Sequence, residues 1–153
     1  EGHTLGMHSY SHQYKEIYQS MDAFQADYER ISNCLTAATG IKPLYYRFPG
    51  GSTEVTEKLQ MTDLDAYFNA QGASYFDWNV IAANNTTDDV SVNKMVDSVM
   101  NGVALYDTSI VLMYDSVDRK MTAKSLDSIL DYLLKNGYEI LPIDENTIPI
   151  HHS

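Results

Sequence analysis

The sequence predicts an α/β protein built on a parallel sheet or barrel. Short apolar runs of strand length alternate with longer segments whose apolar residues recur every three or four positions. Glycines and prolines fall where those longer segments should stop. Strands alternating with helices imply right-handed βαβ units and therefore parallel pairing. A chain of 153 residues with 44% hydrophobic residues is read as a single domain, residues 1–153, with a sizeable core.

Residues 13–39 carry Met21, Phe24, Tyr28, Ile31 and Leu35 on one face and predict a helix, ended by Gly40 with Pro43 beyond it. Leu44 to Phe48 predicts a buried strand, stopped by Pro49-Gly50-Gly51. A helix is expected over about 54–71, closed by Gly72, and a short strand from Ala73 to Trp78. Asp88 and Asp89 favour the start of a helix near 91–104, because carboxylates suit the positive end of the helix dipole. Thr108 to Tyr114 is the most strand-like run. A helix near 122–136 follows, with Leu126, Ile129, Leu130, Leu133 and Leu134 toward the core; Gly137 closes it, and Tyr138 to Ile143 predicts a last strand. There is no internal repeat and no low-complexity segment.

The formal charge of −11 argues against nucleic acid, whose phosphates demand basic patches, and against anionic lipid. Neutral or cationic polymers such as sugars remain suitable partners. Most of the 12 tyrosines are expected at half-buried strand positions. Cys34 is alone, so no internal disulfide forms; it is read as a small buried residue. No stretch is apolar enough to span a membrane. The first residue is Glu1 rather than methionine, and the gene product is expected to begin upstream. Asn84 and Asn85 lie in overlapping glycosylation patterns of the kind common by chance.

The candidate chemistry lies on one histidine turn and at three predicted strand ends. His8 and His12 are four apart, a spacing that puts both rings on one side of a helical turn, where they can converge on one cation. Neutral imidazole suits zinc and related metals, but a catalytic zinc takes three protein ligands plus water. His3 is read as structural or exposed, and Ser9 as a hydrogen-bonding residue of the loop. Arg47 ends an apolar strand, where a charge needs a carboxylate partner. Pro49-Gly50-Gly51 allows close backbone approach to a ligand, and the Gly50 N–H is a candidate oxyanion donor. Asp77, Trp78, Tyr114 and Asp115 follow strands as well; a helix cap at Asp115 or Ser116 is the competing reading there. In parallel α/β folds such strand ends share one face, where active sites form.

HSYSH, RFPGG, YFDWN and IVLMYD occur here in the order and approximate spacing of the polysaccharide deacetylases of the NodB-homology type, carbohydrate esterase family four. The wording resembles the bacterial peptidoglycan N-acetylglucosamine deacetylase branch, and the closing GYEILPIDENTIPIHH resembles that branch's tail. The resemblance implies a distorted (β/α) barrel, a divalent metal (usually zinc), a glycan substrate and a bacterial extracellular or cell-surface setting. Position by position it makes His8 and His12 metal ligands, Arg47 the holder of a catalytic aspartate, and Gly50 the oxyanion donor. It makes Asp77 the carboxylate that tunes a catalytic histidine, and Pro49, Trp78 and Leu112 walls of the acetyl pocket.

Two departures shape the expectations. The family's first motif, which supplies the general base and the third metal ligand, has no counterpart here, so the barrel is expected to lack its first strand and helix. That leaves an open edge, which a homodimer could cover. The fifth-motif histidine is Tyr114, and a tyrosine with an ordinary pKa of about 10 is a poorer acid toward a leaving amine. The chain alone is therefore expected to be nearly inactive. Three functions are compatible with these residues: hydrolysis of N-acetyl groups on a GlcNAc-containing polysaccharide, glycan binding by a degenerate non-catalytic module, and O-deacetylation of xylan.

Overall fold

Ser20 splits the first predicted helix in two. In the computed structural model, which describes residues 2–55, 59–83, 90–115 and 120–153, a short helix α1 (Tyr14–Ile17) is followed by α2 (Met21–Thr39). Ser20 has an extended backbone, and its side chain accepts a hydrogen bond from the Ala23 N–H at 3.2 Å. That is an N-cap, which satisfies one of the free donors of a new helix more cheaply than continuing the old one. Gly40 ends α2 at φ +74°, a left-handed conformation that glycine adopts at little cost. Phe24 and Tyr28 are buried, with Met21, Ile31 and Leu35 packed beside them, as the spacing predicts. Cys34 is exposed, contrary to expectation. It follows buried Ser32 by two positions, which on a helix turns it to the opposite face.

The remaining elements are β1 (Gly6–Met7), β2 (Tyr45–Tyr46), α3 (Met61–Gln71), β3 (Ser74–Tyr75), β4 (Val80–Ile81), α4 (Val92–Val103), β5 (Val111–Leu112) and α5 (Lys120–Lys135). The order β1-β2-β3 makes one parallel sheet, with Gly6 opposite Tyr45 and Tyr45 opposite Ser74. β4 and β5 form a second parallel pair, Val80 opposite Val111. This is the expected α/β class with parallel strands; no closed barrel forms among the described residues. β1 lies at the edge of its sheet.

Three sequence expectations fail locally. The helix predicted from about 54 begins at Met61; a single 3₁₀ turn occupies Ser52–Glu54. Tyr138 to Ile143 joins no sheet among the described residues, although its composition is strand-like; Tyr138 to Pro142 is exposed, and no described strand completes a ladder with it. On α5, Ile129 is buried and Leu133 packs inward, whereas Leu126 and Leu134 are exposed. The inward stripe of α5 is narrower than its leucines suggest, and buried Ser125 fills part of it with its hydroxyl bonded to the Thr122 carbonyl at 2.8 Å. The glycosylation patterns at Asn84 and Asn85, the helix-start pair Asp88 and Asp89, and the cap at Ser116 lie outside the described residues.

The chain divides into two compact units, residues 1–77 with 143–153, and residues 78–142. The first has an aromatic core in which Phe24 sits 5.7 Å from both Tyr46 and Phe48 and 6.1 Å from Phe68, ring to ring. Such spacings are those of favourable edge and offset contacts. The second packs Val80, Ala82, Val99, Val103 and Ile129. There Gly102 lets α4 lie flush on β4, since a Cβ would come within 2.6 Å of a Val80 methyl. No helix among the described residues is long and apolar enough to cross a membrane.

Candidate active site

In the first unit β1, β2 and β3 run parallel, so the residues that leave their C-terminal ends emerge on one edge. Those residues are His8 after β1, Arg47 to Gly51 after β2, and Phe76 to Asp77 after β3. The Arg47 N–H donates to the Met7 carbonyl at 2.9 Å and extends the ladder by one residue.

His8 Nδ1 lies 2.8 Å from the Arg47 carbonyl oxygen. A carbonyl only accepts, so Nδ1 carries the proton and donates, and Nε2 keeps its lone pair. Burial is the main influence on this ring and pulls its pKa down to about 4, against the raising effect of the Arg47 carbonyl; the nearby positive charges of Arg47 and His12 lower it further. His8 is thus neutral at physiological pH. His12 Nε2 stands 3.3 Å from His8 Nε2, and the ring centroids are 4.9 Å apart. Two imidazole nitrogens aimed at one point are half of a zinc-type donor set, and the donation from Nδ1 to a carbonyl is the outer contact that orients a metal-binding histidine. The residues present therefore fit a divalent metal through two ligands. Among the described residues, no third histidine, cysteine or carboxylate joins them.

The pair converges by a route that the spacing does not anticipate. Residues 8–12 are not helical; Ser9 and His12 have φ of +67° and +55°. Left-handed backbone costs a non-glycine residue roughly 1–2 kcal/mol, so surrounding contacts must hold it. The holder is Asp27 on α2. Its Oδ2 accepts from the Ser9 hydroxyl at 2.7 Å and the Tyr10 N–H at 2.9 Å, and its Oδ1 from the Ser11 N–H at 2.9 Å. Ser9 Oγ in turn accepts from the His12 N–H at 2.9 Å. Burial raises the Asp27 pKa, but the bonds from Ser9, Tyr10 and Ser11 outweigh it and hold the carboxyl below its ordinary value.

Asp77 is 1% exposed. Its Oδ1 accepts from the Ser52 N–H at 2.9 Å; its Oδ2 accepts from the Ser52 hydroxyl at 2.6 Å and the His152 N–H at 2.8 Å. It thereby ties the glycine loop after β2 to the C-terminal tail, whose Ile150 carbonyl also accepts from the Asp77 N–H at 2.7 Å. His151 stacks on Tyr75 with centroids 4.0 Å apart. Gly50 and Gly51 have φ of +82° and +89°. A Cβ on Gly50 would lie 2.3 Å from Glu54 Cγ and 3.0 Å from the Tyr14 ring, so the loop closes here only with glycine. Pro49 is buried, and its carbonyl accepts from the Tyr18 hydroxyl at 2.8 Å. Burial raises the Tyr18 pKa strongly, which keeps that donor protonated.

The first unit thus brings together His8, His12, Arg47, Pro49, Gly50 and Asp77. Trp78, Leu112 and Tyr114 belong to the second unit, where Leu112 is buried in β5 and Trp78 and Tyr114 are half-buried. His3 is exposed. Sequence reasoning missed Asp27, Ser52 and the tail histidines. Asp27 left a signal: it sits between Phe24 and Tyr28 on the inward stripe of α2, where a carboxylate needs hydrogen-bond donors.

A family model described as polysaccharide deacetylase matches residues 1–68. The chain is 32% identical to the catalytic domain of a peptidoglycan N-acetylglucosamine deacetylase from Eubacterium rectale. The two superpose with a TM-score of 0.89 over 99% of this chain and 70% of that one. A Streptococcus mutans CE4 esterase is 25% identical, with a TM-score of 0.81 over 94% of this chain and 64% of its own. A Bacillus subtilis strain 168 protein named as a polysaccharide deacetylase, YheN, is 23% identical over 155 residues, which is 99% of this chain. The chain spans about half, 52%, of that curated relative's length.

Proposed function

Because this chain belongs to the polysaccharide deacetylase family, we propose that it carries the metal-binding and substrate-loop half of a site that hydrolyses N-acetyl groups on a GlcNAc-containing glycan. Peptidoglycan is the glycan that the Eubacterium rectale relative's name suggests, and it would place the protein at a bacterial cell surface. The observation that carries this reading is the convergence of His8 Nε2 and His12 Nε2 at 3.3 Å, at the edge where Arg47, Gly50 and Asp77 also emerge. A binding module has little use for two imidazoles aimed at one point.

His8 and His12 would hold the cation, zinc in this reading. When bound, it lowers the pKa of a coordinated water and polarises the acyl carbonyl. The rest is the work of this chain's own residues. The Arg47 carbonyl fixes the His8 tautomer so that Nε2, which faces His12 Nε2, keeps its lone pair for a cation. The Gly50-Gly51 turn brings backbone close to the substrate, with the Gly50 N–H as donor to the oxyanion that develops. Asp77 holds that turn through Ser52, so the donor's position is set before substrate arrives.

Tyr114 favours a second reading, in which the scaffold binds glycan without cleaving it, since a histidine at that position would be the better acid for amine departure. One experiment separates the two. The protein, expressed from its own gene start and supplied with zinc, is incubated with N-acetylated chito-oligosaccharide and with peptidoglycan, and acetate is measured. The deacetylase reading predicts acetate release at an enzymatic rate. Saturable glycan binding with no acetate above background would replace it with the binding module.

A further inference from the structure

We propose that Asp27 is a positioning residue for the metal site, fixing the His12 half of the pair through Ser9. This rests on the reading of His8 and His12 as ligands. The two histidines are held differently. His8 leaves a β-strand and is locked directly by the Arg47 carbonyl. His12 ends a four-residue excursion, residues 9–12, that belongs to no helix or strand and passes through left-handed backbone at Ser9 and at His12 itself. That excursion is clamped by the Asp27 carboxylate, which takes the Ser9 hydroxyl, the Tyr10 N–H and the Ser11 N–H. The Ser9 oxygen then relays the restraint to the His12 N–H.

The clamp is rigid because its base is. Asp27 is flanked on α2 by Phe24 and Tyr28, both buried in the aromatic core. Without the carboxylate, two backbone donors and the Ser9 hydroxyl lose their acceptor, and the bond from the His12 N–H is left to a Ser9 side chain that is no longer anchored, so the unfavourable backbone at Ser9 and His12 loses most of its restraint. The loop then relaxes, and Nε2 of His12 leaves the point that Nε2 of His8 faces. Outer contacts of this kind typically change metal affinity by about 10- to 100-fold.

The test uses Asp27→Ala, Asp27→Asn and Ser9→Ala, with exposed Asp22→Asn on the same helix as control. Two quantities are read: zinc affinity by calorimetry, and, in the metal-free protein, the NMR cross-relaxation between the His8 and His12 ring protons. Asp27→Ala should weaken zinc by about 10- to 100-fold and abolish the ring-to-ring signal, while the His8 Nδ1–H resonance bonded to Arg47 stays in place. Asp27→Asn keeps one oxygen for the Ser9 and Tyr10 donors but sets an amide against the Ser11 N–H, so its loss should be intermediate. Ser9→Ala should resemble Asp27→Ala, and Asp22→Asn should match the parent. A purely structural role would lower the melting temperature and leave both readouts unchanged in the folded variants. Wild-type zinc affinity and an intact ring-to-ring signal in Asp27→Asn and Ser9→Ala would overturn the proposal. If the parent binds no zinc yet shows the ring signal, the metal reading fails, and the positioning claim is decided by the ring signal alone.

Discussion

In the protein expressed from its own gene start, alanine at His8 and His12 together lowers acetate release by on the order of a thousandfold or more, a loss of about 4 kcal/mol of transition-state stabilisation. The size follows from what the two rings do. Their Nε2 atoms converge to 3.3 Å, and His8 is neutral with the lone pair of Nε2 on the side of His12. Removing them removes the means of holding a cation against the acyl oxygen. Groups that act as one unit are not additive, so each single alanine variant should lose nearly as much as the pair. The fold should survive, because the loop's backbone is held by Asp27 and not by the rings. Initial rates on N-acetylated chito-oligosaccharide, with circular dichroism to confirm folding, test this. A double variant that keeps a tenth or more of the parent rate would show that the pair is not the metal site.

Asp77→Ala destabilises the first unit by about 3–5 kcal/mol. Three donors end on this buried carboxylate: the Ser52 N–H, the Ser52 hydroxyl and the His152 N–H. Each buried donor left without an acceptor costs about 1–3 kcal/mol, and partial access of water reduces the sum. Asp77→Asn should cost less, because one amide oxygen can still serve the Ser52 hydroxyl and His152, while its NH₂ opposes the Ser52 N–H. Both variants loosen the Gly50-Gly51 turn and so affect catalysis beyond their effect on stability. Denaturant unfolding measures the first effect. A stability change within 1 kcal/mol for Asp77→Ala would mean that the tail and loop do not depend on this carboxylate.

The readable parts of this sequence are those governed by local chemistry. Gly40, Gly72 and Gly137 end helices, or follow them closely, in the left-handed region as their type predicts, and the sequence pattern placed α4 and α5 within two residues at each end and the end of α2 at Thr39, though not its start. The apolar runs before Arg47 and Asp77 became parallel strands as expected, while the short strand before His8 was not anticipated; together the three strands put His8, Arg47 and Asp77 on one edge. What was hidden depends on distant partners. The four-residue spacing of the histidines suggested a helical turn, yet their convergence comes from a non-helical loop clamped by a helix residue 15 positions beyond His12. Tyr138 to Ile143 is an apolar run of strand length, but it pairs with no strand among the described residues. Ser52 and His152 reach Asp77 from 25 and 75 residues away, and nothing in their neighbourhood announces it.

The most direct measurement is a calorimetric titration of zinc into the purified chain, beside the variant with alanine at both His8 and His12. One saturable equivalent of zinc is expected for the parent and none for the variant. No saturable binding by the parent, or equal binding by the variant, would contradict a metal site built on these two histidines.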